Sequence, residues 1–293
     1  MLKNGDIIGP WKINRTIIDD NENRGIYEVL PNFMSQKEIN DKLKGISVWY
    51  MKVINIDIDY SENEIIKTNN LIEIPNIVIV PLEEKYLFGN FDKYEWYIME
   101  KCNGDILNYI KTAYQNWEKV LETVCNFLKC LHYKRLVHGD LKLKNILYKS
   151  SDNTFKICDF ESCVSPKFNK NCINRGRVGY YYYYIGAIPE EPCLSYKTDL
   201  QAFGTLLWAI FCNNELSQNN LFRWQELAVN CYEKKISYLD YVELNNSKEA
   251  QFMPEIIKEY FKIISKIDSK SYEPPDENIY KEILNLKKYK LSL

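Results

Sequence analysis

The hydrophobic pattern changes character near Gly104, and that change constrains the fold more than any other feature. Before it, WKINRTII, GIYEVL, VWYMKVINI and EWYIMEKC are short runs rich in β-branched and aromatic residues, separated by polar turns such as DDNENR. Runs of this kind read as strands. One helical stretch interrupts them: from Ser61 to Ile72, Ser61 is suited to cap, acidic residues fill the first turn, and apolar residues are spaced for one buried face. IPNIVIVPL, which follows, reads as a further strand. After Gly104 the period lengthens, and WEKVLETVCNFLKCLHYKRL repeats Val120, Val124, Leu128 and Leu131 at helix spacing. More helices are predicted at TDLQAFGTLLWAIF and PEIIKEYFKIISKI. The expectation is an α+β chain in two parts, a small β-rich part over residues 1–102 with one main helix, and a larger, mainly helical part over residues 103–293. Most of its strands should be antiparallel.

Composition narrows the functions open to such a chain. With 46% apolar residues in 293, it can build a sizeable core. The 38 basic and 40 acidic side chains leave a formal charge of −2, which gives no sign of a nucleic-acid backbone as partner. The opening MLKNGDIIGPWKIN lacks the basic-then-apolar pattern of a secretion signal, and no segment approaches the length of a bilayer span. A cytoplasmic chain with neither nucleic acid nor membrane as partner is expected. Nine scattered cysteines without C-x-x-C spacing point to reduced, mostly buried thiols. Only His132 and His138 are histidines, which argues against a histidine metal centre or relay, so chemistry falls to carboxylates and lysines.

The segment LVHGDLKLKNILYKSSDNTFKICDFES concentrates such groups. It places His138, Asp140, Lys142 and Asn145 in one short loop, with Asp159 beyond a turn. Phosphoryl transfer needs this set: Asp140 to accept or orient the hydroxyl proton of a nucleophile, and Lys142 to neutralise charge on the moving phosphate. Asn145 and Asp159 offer the hard oxygen ligands that Mg²⁺ prefers. ILYK and FKIC, joined by SSDN, should pair as a hairpin and bring those two residues to one metal. The bland alternative is a polar turn whose charges are merely solvated.

VHGDLKLKN followed by CDF resembles the catalytic loop and metal-binding motif of the protein kinases, H-R-D-x-K-x-x-N and D-F-G. The resemblance implies a bilobal kinase-like fold, ATP and Mg²⁺ as cofactors, and a protein substrate. It also implies roles along the chain. Lys52 in VWYMKVI would hold the α- and β-phosphates, with Glu64, or else Glu62, as its helix partner. Glu100 and Cys102 fall at the hinge that binds adenine, with Met99 at the back of the pocket. Asp105 would meet the ribose, unless it only caps a helix, and Leu147 would form the apolar floor. Asp199 would anchor the catalytic loop by accepting its backbone N–H groups. The D-L-x-x-x-G form, Ala187 and Gly139 look most like the casein-kinase-one and vaccinia-related kinase branch.

The pattern also departs from that family. The three glycines of the phosphate-binding turn fall at Asp19, Asn21 and Arg24, and Asp19, Asp20 and Glu22 put negative charge near a polyphosphate. Arg24 could offset part of this charge, and Gly25 could still allow a close turn. Glu161 stands where D-F-G has its last glycine, restricting the backbone there. Gly139 removes the arginine that pairs with a phosphorylated activation segment. AIPEE matches A-P-E only approximately, and the Tyr180 to Tyr184 run has no assigned role.

Three functions fit these residues. The first is a kinase transferring the γ-phosphate of ATP to serine or threonine, which Lys142 favours over tyrosine. The second is a pseudokinase acting through protein contacts. The third is a small-molecule phosphotransferase of kinase-like fold, though such enzymes usually lack lysine at the position of Lys142.

Overall fold

The structure is a computed structural model and describes residues 2–20, 24–32, 49–55, 71, 73–78, 87–166, 195–214, 254–268 and 271–289. Elements are numbered among these. The chain divides into two compact units, Met1–Glu73 with Ile77–Asn103, and Ile74–Asn76 with Gly104–Leu293.

The first unit is built on β1 (Ile7–Ile8), β2 (Trp11–Asp20), β3 (Arg24–Pro31), β4 (Trp49–Asn55), β5 (Phe88–Phe91) and β6 (Tyr94–Glu100). They form one sheet in the order β1-β2-β3-β4-β6-β5, each neighbour antiparallel. Alternation explains its buried face: Trp11, Ile13, Val29, Trp49 and Met51 are buried, and Trp11 packs against Trp49 with ring centroids 6.3 Å apart. A buried carboxylate ties three segments together. Glu28 accepts Asn14 Nδ2 at 2.6 Å, Arg15 Nε and Nη2 at 3.1 and 2.9 Å, and Lys101 Nζ at 3.3 Å. Burial pushes its pKa up, but these donors together hold it below the usual 4.5.

The expected strand IPNIVIVPL is corrected over its described part. Residues 74–78 form turns rather than an extended strand, with Asn76 at φ +65° and its carbonyl accepting Ile157 N–H at 2.7 Å. The strand that pairs with β6 is β5, which the sequence reading missed; its hairpin turns through Asp92 at φ +52°. Of the helix expected at Ser61 to Ile72, only Leu71 lies within the described residues.

The second unit holds β7 (Gly104–Asp105), β8 (Ile146–Lys149) and β9 (Thr154–Ile157), an antiparallel sheet in that order. Its helices are α1 (Ile110–Gln115), α2 (Trp117–Tyr133), α3 (Tyr196–Asn214), α4 (Glu255–Ser265) and α5 (Glu277–Leu284). Three match the expected helical runs; α1 starts five residues later than the helix start expected at Asp105, and α5 was not anticipated. The short α1 offers barely more than one turn of pattern; α5 announces itself only by Asp276, whose side chain caps Asn278 N–H at 2.7 Å.

Helix α3 carries apolar residues around much of its circumference and is buried accordingly, with Leu200, Phe203 and Ile210 wholly inaccessible. Gly204 makes one close approach possible. A Cβ there would lie 2.6 Å from Cε1 of Tyr260 in α4, whose hydroxyl donates to the Leu200 carbonyl at 2.8 Å.

Candidate active site

The loop that follows α2 is shaped by backbone bonds. Arg135 takes φ +60° and its N–H donates to the His132 carbonyl at 2.8 Å, turning the chain out of the helix. Val137 then pairs with Val164 in an isolated antiparallel bridge, with N–H···O distances of 2.8 and 3.1 Å. That bridge draws the loop after Val137 towards the segment around Asp159.

Asp199, fully buried in the first turn of α3, fastens the loop. It accepts His138 N–H at 2.7 Å and Gly139 N–H at 3.1 Å, the anchoring role that the resemblance implied. Gly139 is at φ +77°, and a Cβ there would meet the Ser162 carbonyl oxygen at 2.6 Å. Glycine suits this position for both reasons.

Around that anchor the polar side chains converge. Lys142 Nζ donates to Asp140 Oδ2 at 2.5 Å, and Asn145 Nδ2 donates to the Asp140 carbonyl at 2.8 Å and to Oδ2 at 3.2 Å. This orientation commits the Asn145 amide nitrogen to Asp140 and leaves its Oδ1 as the atom that can meet a cation. Asn145 ends a 3₁₀ turn, Leu143–Asn145, and is buried, so its rotamer is held from several sides.

The hairpin β8–β9 forms as expected, with Ile146 opposite Ile157. Immediately beyond it, Cys158 N–H donates to the Asn145 carbonyl at 3.0 Å, so Asp159 follows directly on a residue bonded to Asn145. Asp159 itself is at φ +66°, a left-handed conformation that is uncommon outside glycine and clusters at functional sites. Phe160 is buried, its ring 5.7 Å from that of His138 and 6.2 Å from that of Phe127. The Asp140 N–H donates to His138 Nδ1 at 3.2 Å, so the other ring nitrogen, Nε2, carries the proton and donates to the Cys158 carbonyl at 3.3 Å. His138 thereby locks the loop to the residue before Asp159.

Among the described residues no group of three or more His, Cys, Asp or Glu gathers to hold a metal. The oxygen donors Asn145 and Asp159 instead suit a hard cation that takes its remaining ligands from water and phosphate.

Asp105 and Leu147 lie opposite one another in the β7–β8 pairing. The Asp105 carboxylate accepts Asn108 N–H at 3.0 Å and Asn108 Nδ2 at 3.2 Å within a turn, and α1 starts after Tyr109 with no side-chain cap, so Asp105 does not cap that helix. In the first unit, Lys52 occupies the middle of β4, opposite Ile26 and Tyr97, with its Nζ 5.8 Å from the Tyr97 ring centroid. Glu100 ends β6 and its N–H donates to the Val78 carbonyl at 2.8 Å; Met99 and Cys102 are buried. Asp19 and Asp20 pair with Gly25 and Arg24 at the end of the β2–β3 hairpin. Glu62, Glu64, Ala187 and the Tyr180 to Tyr184 run lie outside the described residues.

Sequence reasoning missed His132 and Tyr280. His132 is fully buried, its Nε2 3.1 Å from Asp199 Oδ2 and its Nδ1 2.6 Å from the Tyr280 hydroxyl. One signal was present: His132 falls four residues after Leu128, on the apolar face of α2, where a polar side chain needs a partner.

A loop of this kind, fastened to a buried aspartate and carrying Asp, Lys and Asn ahead of a strained Asp, belongs to enzymes that move phosphate. A model of the protein kinase domain matches residues 47–286, most of the sequence, and the chain belongs to the protein kinase family. Strands β1 to β3 precede the match. Family membership implies ATP, typically with Mg²⁺.

Among curated relatives, the serine/threonine-protein kinase KIC1 of Saccharomyces cerevisiae is 27% identical over 180 residues, 57% of this chain and 16% of its own. Calcium-dependent protein kinase 6 of Plasmodium berghei is 25% identical over 194 residues, covering 62% and 13%. A probable inactive receptor kinase of Arabidopsis thaliana is 27% identical over 130 residues, covering 43% and 12%. The chain thus spans 12 to 16% of the length of these relatives. No helix of the described residues is long and apolar enough to cross a membrane.

Proposed function

We propose that this kinase domain transfers the γ-phosphate of ATP to serine and threonine hydroxyls of protein substrates. The observation that carries this reading is the bonded set at the loop, in which Lys142 and Asn145 both donate to the Asp140 carboxylate. Asp140 is the base that receives the hydroxyl proton, and Lys142 neutralises the phosphate as it moves. Asn145 and Asp159 are the Mg²⁺ ligands. Lys52, with Glu64 or Glu62, holds the phosphates of ATP, while Glu100, Cys102, Asp105 and Leu147 line the nucleoside end. In this reading residues 1–102 serve nucleotide binding and residues 103–293 carry the catalytic loop.

Gly139 and the D-L-x-x-x-G run at Asp199 to Gly204 support the casein-kinase-one and vaccinia-related branch. Free Cys125 and Cys130 support a reducing compartment, the cytoplasm. Cys125 is inert as well, since burial pushes its thiol up to about 12.

A specific observation favours a second reading, a pseudokinase. Asp19 and Asp20 stand at the end of the β2–β3 hairpin, opposite Gly25 and Arg24, where a kinase brings backbone to the phosphates. Labelled ATP with Mg²⁺ and casein, given to wild type and to Asp140→Asn, separates the two. Label on serine and threonine that disappears in the variant supports the kinase. Equal, negligible transfer by both proteins, with no nucleotide-induced rise in Tm, supports the pseudokinase. Transfer to an aminoglycoside and to no protein assigns the chain to the small-molecule phosphotransferases.

A further inference from the structure

Helix α5 lies far from the catalytic loop in sequence, yet one hydroxyl connects them. The Tyr280 hydroxyl is 2.6 Å from His132 Nδ1, and His132 Nε2 is 3.1 Å from Asp199 Oδ2, the oxygen that also accepts His138 N–H at 2.7 Å. A carboxylate oxygen only accepts, so His132 donates through Nε2, and in the neutral imidazole its Nδ1 is then the acceptor for the Tyr280 O–H. His132 and Asp199 are wholly buried and Tyr280 almost so, so no water competes for these groups. Tyr196 packs its ring 4.9 Å from that of His132 and leaves the edge with the two nitrogens to Tyr280 and Asp199.

We propose that Tyr280 is a positioning residue for catalysis: by donating to His132 it fixes the imidazole tautomer that braces Asp199, and Asp199 in turn fixes the backbone of His138 and Gly139 beside Asp140. The relay moves no proton during transfer. Its product is geometry, a carboxylate held on two sides so that the loop N–H groups always find it. Tyr280 touches neither nucleotide nor substrate, and the activity part of this inference rests on the kinase reading above.

Two variants test it in the whole chain. Tyr280→Phe removes the hydroxyl and keeps the ring; Ile283→Ala, in the same helix, removes buried packing with no hydrogen bond to His132. At matched temperature below the Tm of either variant, Tyr280→Phe should speed amide hydrogen exchange at His138 and Gly139 by roughly five- to tenfold and move the ring ¹⁵N resonances of His132. It should lower kcat while KM for ATP and for peptide stays put. Ile283→Ala should lower Tm without these changes. The relay is overturned if Ile283→Ala changes the two amides as much as Tyr280→Phe does, or if Tyr280→Phe leaves the amides and the His132 resonances as they were. A wild type that transfers no phosphate removes the kinase reading alone, because the amide and ring measurements still decide whether the relay exists.

Discussion

Lys142 Nζ sits 2.5 Å from Asp140 Oδ2, an ion pair two residues apart with both side chains only partly exposed. An ammonium has three N–H groups, so the bond to Asp140 uses only one Lys142 donor, and the proposed reading adds a phosphate among its partners. The carboxylate is thus oriented before any substrate arrives, which is the arrangement a general base needs.

Replacing Asp140 by Asn keeps the shape and removes the proton acceptor. Transfer to a seryl peptide should fall by about 10²- to 10⁴-fold, with Tm within a degree or two of wild type. Steady-state rates and a thermal melt measure both. A large loss of Tm would mean that Asp140 serves the fold more than the reaction.

Asp199 is a different matter, because its work is structural. Asp199→Ala strands the N–H groups of His138 and Gly139 and the Nε2–H of His132, all buried. Loss of such a buried ionic centre should cost about 3–5 kcal/mol, read by urea unfolding monitored on the tryptophans. A loss below 1 kcal/mol, by the same order-of-magnitude scale, would contradict the anchoring role.

Gly204→Ala should be destabilising although alanine favours helices. The new Cβ would lie 2.6 Å from the Tyr260 ring, and overpacking of this kind costs about 1–3 kcal/mol. Combining it with Tyr260→Leu should recover part of the loss, whereas simple additivity of the two substitutions would show that the contact is not the cause.

Glu28 gives a pH signature in the first unit. Its pKa is lowered in the folded state, despite the opposing effect of burial, by Asn14, Arg15 and Lys101. Its stabilisation is therefore fully present above the unfolded value near 4.5 and is lost as pH falls through the lower folded value. Urea unfolding between pH 7 and pH 3, ranges chosen around the usual carboxylate values, should show wild type losing more stability than Glu28→Gln. Parallel curves would show that Glu28 gains nothing from its partners.

The sequence was most legible where chemistry and periodicity coincide. The β8–β9 hairpin, the long helix α2 and the Asp199 anchor are written in strict patterns, and the structure has each of them. The extended reading of IPNIV failed because β-branched residues there favour a strand locally, while Asn76 adopts φ +65° and bonds through its carbonyl to Ile157 instead. Strand β5 was hidden by Gly89 and Asn90, poor strand formers whose place is set by pairing with Trp96 and Glu95. The role of His132 was unreadable for another reason: its partners Asp199 and Tyr280 lie 67 and 148 residues away, and no local pattern reports contacts of that span.

In the proposed reading, Asn145 and Asp159 hold the magnesium of ATP while Asp140 receives the hydroxyl proton. The most direct measurement is the rate of γ-phosphate transfer to a seryl peptide as Mg²⁺ is varied, for wild type and Asp159→Asn. Wild type should show saturable dependence on Mg²⁺, and Asp159→Asn should be slower by about a hundredfold or more, with its requirement for Mg²⁺ displaced upward. Transfer at equal rates by the two proteins, or transfer indifferent to Mg²⁺, would contradict the account.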